Sequence, residues 1–109
     1  MKRGAIVVVA ARGAYTGKPR PALVVQSDLF NPTHASVTVC PITSDCADAP
    51  LFRVTLPPGS RTGLLAASQV MIDKIVSVPH SAIGSEIGEC TAQELDAVDD
   101  AVRRWLGLA

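Results

Sequence analysis

Arg20 stands between two prolines within Gly17-Lys-Pro-Arg-Pro-Ala-Leu-Val-Val-Gln-Ser-Asp28, and this stretch constrains the fold more than any other. Proline holds its own φ and pushes the preceding residue out of the helical region, so the backbone around Arg20 is extended. Ala22-Leu-Val-Val25 continues as a short β-rich apolar run, and Gln26-Ser-Asp28 ends it with turn-forming polar residues. A guanidinium that does not lose its proton is thus mounted at the mouth of a strand. Such an arginine is suited to gripping a phosphate or, equally, to an ordinary surface ion pair.

The chain around it has 109 residues, room for a single domain (1–109) with a modest core. This is close to the size at which surface-to-volume scaling leaves a lone monomer marginal, so a dimer is expected to help. Hydrophobic residues make up 48% and aromatics only 4%, so the core must be aliphatic, which suits a small β-rich domain. The net charge of zero hides a split. Lys2, Arg3, Arg12, Lys18 and Arg20 share the first 20 residues with no acid, whereas Glu86, Glu89, Glu94, Asp96, Asp99 and Asp100 cluster without a base. Either the basic end meets an anionic partner or the two ends neutralise each other on the folded surface. Cys40, Cys46 and Cys90 are odd in number and lack CxxC spacing, arguing against a disulfide framework or zinc site and for a reducing cytoplasm. The apolar run after Met1-Lys-Arg is short and is cut by Arg12 and Gly13, so it reads as a buried first strand and not as a signal peptide. No stretch is long enough to span a bilayer.

Ile6-Val-Val-Val9 is continuous and β-branched, the pattern of a strand buried on both faces. Residues 11–19 form a loop in which Gly13 to Lys18 imitates a phosphate-binding P-loop. The glycines are one residue too close, Pro19 occupies the hydroxyl position, and a strand follows where a helix should, so the motif is rejected. Arg12, Tyr15 and Lys18 still offer charge for phosphates and a ring for a base, unless the segment is a plain hairpin loop. Ser36 to Thr43 alternates as a half-buried strand, with Pro41 expected at an edge or bulge because it lacks a ladder donor. Thr43-Ser-Asp45 can bind a phosphate or ribose, or can simply satisfy its own turn. Leu51 to Leu56 alternates again, Pro57 to Ser60 is a turn, and residues 64–78 read as two strands or one strongly bent strand. Gln69, Asp73 and Lys74 are polar in that apolar run, and on a strand the adjacent Asp73 and Lys74 would face opposite sides. Ile83 to Gly88 adds a short strand. Thr91-Ala-Gln-Glu94 is a capping box, followed by Leu95, Val98, Val102, Trp105 and Leu106 at helical spacing, basic Arg103 and Arg104, and Gly107 as a stop. Trp105 reads as a core or interface anchor. His34 and His80 are the only histidines and read as turn residues; there is no nucleophile elbow, no HExxH and no carboxylate cluster, so neither metal nor cofactor is expected.

Together, Lys2-Arg-Gly4, Lys18-Pro-Arg-Pro-Ala-Leu-Val-Val-Gln26, Pro41-Ile-Thr43, Ser68-Gln-Val-Met-Ile-Asp-Lys74 and the C-terminal helix resemble the MazF/PemK toxins of type II toxin–antitoxin systems. They cover most of the chain in the family's order. Ala5 and Ser68 depart from it, each standing where an acid is usual. The resemblance implies a mainly β fold, a small, strongly bent β-sheet or SH3-like barrel of the plasmid-maintenance-toxin type with a C-terminal helix, acting as a homodimer. It implies a metal-independent endoribonuclease on single-stranded RNA, with Arg20 and Thr43 catalytic, products ending in a 2′,3′-cyclic phosphate and a 5′-hydroxyl, and neutralisation by a cognate antitoxin. Arg12, Tyr15, Lys18, Ser44 and Gln69 are the RNA contacts expected around that pair. Two other readings stay open: a CcdB-like gyrase poison, which shares the fold and cuts nothing, and an inactive domain that only binds RNA or antitoxin.

Overall fold

The computed structural model describes residues 1–10 and 18–108. Its strands are β1 (Ala5–Val9), β2 (Arg20–Val24), β3 (Ser36–Thr43), β4 (Arg53–Leu56), β5 (Ser68–Met71), β6 (Val76–Pro79) and β7 (Ile83–Glu89), followed by helix α1 (Ala92–Leu106). The seven strands form one antiparallel sheet in the order β4-β5-β3-β2-β1-β7, with β6 also on β3.

β3 is the hinge of this arrangement. On one side it pairs with β2; on the other, its first half pairs with β6 (Val39↔Val76 the last pair) and its end pairs with β5 (Ile42↔Val70, Thr43↔Gln69). Pro41 falls between those two partners. The expected edge or bulge is instead the point at which a central strand changes neighbours, where a missing N–H interrupts no ladder on that side.

The unbroken Ile6–Val9 run is explained by burial on both faces. Ile6, Leu23 and Cys40 stand in cross-strand register and point into one core with Ile42, Leu56, Val70 and Ile72, whereas Val7, Val9, Ala22, Val24, Val37 and Val39 fill a second core on the other face. Helix α1 closes the first core through Val98 and Ala101. Its capping box is formed: Thr91 Oγ1 accepts from the Glu94 amide at 3.1 Å, and Glu94 Oε1 accepts from the Thr91 amide at 2.8 Å. Gly107 ends the helix with φ of 71°. Trp105 is 48% exposed, its ring tilted against Phe52 at 5.7 Å, so it is not a core residue.

Ala5, one departure from the family pattern, is 4% exposed in the second core, where an acid would be desolvated. Ser68, the other, is buried and donates to the Ala66 carbonyl at 2.9 Å.

Two local expectations change, the start of β4 and the placing of Asp73 and Lys74, and the two-strand reading of residues 64–78 holds. β4 begins at Arg53, because Pro50 to Phe52 is a turn. The 64–78 run resolves into β5 and β6 separated by a 3-10 turn, Ile72–Lys74. In that turn adjacent residues no longer alternate, and Lys74 Nζ comes within 3.8 Å of Asp73 Oδ2 instead of facing away from it. The charge split is partly internal: Arg3 pairs with Asp99, and Arg61 grips Glu94 at 2.7 Å. Lys18 and Arg20 take no part in this pairing, and among the described residues their side chains have no hydrogen-bond or ion-pair partner.

Candidate active site

The Ala22↔Pro41 pair fixes the register between β2 and β3. Carried two residues further, that register sets Arg20 across from Thr43, and the two-residue period of a strand keeps both on the face of Ala22 and Pro41. Arg20 and Thr43 accordingly line one groove of about 290 Å³, together with Lys18. Val9, Val39, Ile42, Met71 and Val78 supply apolar walls.

Arg20 is exposed, yet its backbone is held by pairing with Val9 in β1, so an exposed side chain stands on a fixed base. No carboxylate and no histidine lines the groove among the described residues, which leaves two cations facing space with no competing anion. Thr43 is half-buried and its Oγ1 accepts from the Asp45 amide at 3.0 Å. The turn-satisfying role foreseen for this threonine is therefore real, but an oxygen that accepts from an amide keeps its own proton to donate.

The other expected site residues fall in different places. Ser44 is exposed beside Thr43. Gln69 lies opposite Thr43 in β5, but its amide is buried and already engaged: Oε1 accepts from the Ala47 amide (2.9 Å) and from Arg53 Nη1 (3.0 Å), while Nε2 donates to the Ala47 carbonyl (2.9 Å). Its carbonyl oxygen is fully engaged, and one hydrogen of Nε2 is left for any contact to RNA. Arg12 and Tyr15 lie outside the described residues. Arg53 is the polar residue that sequence reading passed over. Its signal was a lone cation in the alternating Leu51–Leu56 segment, which says nothing of what it meets.

His34 and His80 are exposed and do not line the groove. Burial pushes the Cys40 thiol up to about 12 and, with the nearby Glu94, the Cys90 thiol up to about 11, so both are packing groups and not nucleophiles. Among the described residues no three His, Cys, Asp or Glu side chains gather where they could hold a metal ion. Among the described residues no helix is long and apolar enough to cross a membrane.

A positively charged groove with an arginine and a hydroxyl on adjacent strands is suited to holding a phosphodiester and stabilising charge added to it. Residues 2–106 match the family described as PemK-like, MazF-like toxin of type II toxin–antitoxin system. The chain is 47% identical over 109 residues to a probable endoribonuclease MazF of Mycolicibacterium smegmatis, covering 100% of this chain and 99% of that one. It is 34% identical over 116 residues to endoribonuclease MazF9 of Mycobacterium tuberculosis, covering 99% and 98%. Among solved structures, the Mycobacterium tuberculosis toxin MazF-mt6 superposes with a TM-score of 0.83 at 25% identity over 96% of this chain and 98% of that one. A MazE–MazF structure from Deinococcus radiodurans gives 0.81 at 25% identity over 100% and 97%. Of the two toxin classes that share this fold, these matches side with MazF over the gyrase poison. The chain belongs to the PemK-like, MazF-like toxins of type II toxin–antitoxin systems.

Proposed function

We propose that the groove lined by Arg20 of β2 and Thr43 of β3 binds single-stranded RNA and cleaves it endonucleolytically without a metal ion. The observation that carries this reading is the convergence of Arg20 and Thr43 in one groove whose described lining contains no anionic side chain. RNA brings its own nucleophile. The 2′-oxygen attacks the adjacent phosphorus, the bond from phosphorus to the 5′-oxygen breaks, a proton leaves the 2′-hydroxyl and one is delivered to the 5′-oxygen. The products carry a 2′,3′-cyclic phosphate and a 5′-hydroxyl. The protein's work is alignment and charge stabilisation. Arg20 faces the phosphoryl oxygens that gain negative charge, and the Thr43 hydroxyl donates to one of them or orients the ribose. Lys18 and Ser44 hold flanking phosphates, and Arg12 and Tyr15 contribute charge and stacking.

The relatives named endoribonuclease support the reaction type, and the MazE–MazF complex supports neutralisation by a cognate antitoxin. The fitting antitoxin segment is acidic, dotted with apolar residues and disordered until it binds. A homodimer in the cytoplasm is the working form: Leu65, Trp105, Leu106 and Leu108 are large apolar side chains left exposed on a small domain. Cleavage of messenger RNA at a preferred sequence would stop translation and growth.

The test is incubation of the pure protein with a long single-stranded RNA in EDTA, beside a DNA of the same sequence. Discrete RNA fragments with cyclic phosphate ends and intact DNA are expected, and sequencing their 5′ ends reads the preferred site. RNA that is bound but stays whole would leave the binding-only reading in its place.

A further inference from the structure

The turn that follows Thr43 has little packing to hold it. Ser44, Asp45, Cys46, Ala47 and Asp48 are all exposed. Yet the Asp45 amide is the donor to Thr43 Oγ1, so where this turn sits decides where the hydroxyl points. Two side chains from neighbouring strands hold it. The Gln69 amide grips both backbone groups of Ala47, much as a facing strand would, and Arg53 Nη1 donates both to Gln69 Oε1 and to the Asp45 carbonyl at 3.2 Å. Gln69 is in turn fixed by β5 pairing with Thr43 on one side and Thr55 on the other.

The geometry points to Gln69 and Arg53 as a clamp on the 45–47 turn that aims the Thr43 hydroxyl, which makes both of them positioning residues. The inference rests on the catalytic reading of Thr43 given above. It also explains why a polar side chain with an obvious capacity for base recognition is buried. Gln69 Oε1 spends one acceptor direction on the Ala47 amide and the other on Arg53, and one hydrogen of the amide goes to the Ala47 carbonyl. A hydroxyl held in this way needs no reorganisation when the phosphodiester arrives.

The test is a double-mutant cycle with Gln69→Met and Thr43→Ala, read as single-turnover RNA cleavage at saturating protein. RNA affinity is measured separately on a fully 2′-O-methylated RNA, and amide hydrogen exchange is followed at residues 45 and 47. Gln69→Met is expected to slow cleavage by up to ~10²-fold, the scale of a misplaced reacting group, with affinity nearly unchanged. The Asp45 and Ala47 amides should exchange faster while those of β2 keep their protection. In the Thr43→Ala background, Gln69→Met should cost nothing more, because its effect passes through Thr43.

A Gln69→Met protein that cuts at the wild-type rate overturns the inference, as do losses that multiply in the double variant or a loss confined to affinity. Thr43→Ala without any loss would instead overturn the catalytic reading of Thr43, so the two failures are distinct. If Gln69→Met does not fold, Arg53→Met carries the same cycle with the same expected outcomes. Among the described residues Arg53 Nε is buried without a partner, so replacing that guanidinium removes an unsatisfied donor and should spare the fold.

Discussion

Arg20→Ala separates chemistry from folding more cleanly than any other change in this protein. The side chain is exposed and, among the described residues, makes no hydrogen bond or ion pair, while the backbone of Arg20 stays paired with Val9. Removing it should therefore alter stability by no more than about 0.5 kcal/mol, as for other surface substitutions that break no specific contact. On a domain of this size that is a shift in Tm of roughly 2–4 °C. The effect on cleavage should be much larger. A phosphodiester carries one negative charge, and the pentacoordinate transition state carries a second. A guanidinium about 4 Å from that added charge, at an effective dielectric constant near 20, is worth about 4 kcal/mol. Arg20 stands in an open groove, so solvent reduces this, and the expected loss is ~10²–10³-fold in the rate of the chemical step, the range seen when a pre-organised charge stabiliser is deleted. Single-turnover cleavage of a labelled RNA at saturating protein, with affinity measured on 2′-O-methylated RNA, reads the two effects apart. Affinity should fall less than rate, because bound RNA carries only the first charge. Arg20→Lys should give an intermediate rate, since an ammonium keeps the charge and loses the planar fork. A folded Arg20→Ala protein that cuts at the wild-type rate would refute the assignment of the site.

At Thr43, the serine variant keeps the hydroxyl and should retain much of the activity, whereas valine keeps the shape and should be as slow as alanine in the same single-turnover assay. Gly88→Ala should be among the most damaging small changes: the added Cβ would lie 2.2 Å from the Thr62 backbone, so β7 or the 57–63 loop must shift, at about 1–3 kcal/mol or more in urea denaturation. Thr91→Ala should cost about 1 kcal/mol by removing the helix cap. The pH dependence follows from Glu94 and Asp28. Burial pulls the Glu94 carboxyl up, but the Arg61 guanidinium and the Thr91 amide outweigh it and hold it below the usual 4.5; the Arg3 amide, then Asn31, hold Asp28 below 3.8. Both groups bind protons more weakly folded than unfolded. Their stabilisation is thus complete above about pH 4.5 and is lost as pH falls through the folded values, and Arg61→Met should make a urea midpoint less sensitive to pH in that window.

How much of this could be read from residues alone depended on how far apart the interacting groups lie along the chain. Capping boxes, proline-bounded strands and turn signals are short-range physics, so helix α1, the Ser36–Thr43 strand and the extended Arg20 segment were legible in sequence. The continuous Ile6–Val9 run correctly implied burial on both faces. What depended on strand register was not legible. The sequence spacing of Arg20 and Thr43 carries no sign that they share a groove, and only the β2–β3 pairing brings them there; without the family resemblance neither would have stood out as half of a pair. Gln69 looked like a contact for RNA because a polar residue in an apolar run has no visible partner. The fold supplied partners from Ala47 and Arg53, across two strands and a turn. Asp73 and Lys74 were separated on paper by the alternation of a strand, and a single 3-10 turn brought them together. Local preferences set the elements of this protein, because each is decided within a few residues; the groove and the clamp beside it exist only because an eight-residue strand, β3, exchanges one neighbour for another at Pro41.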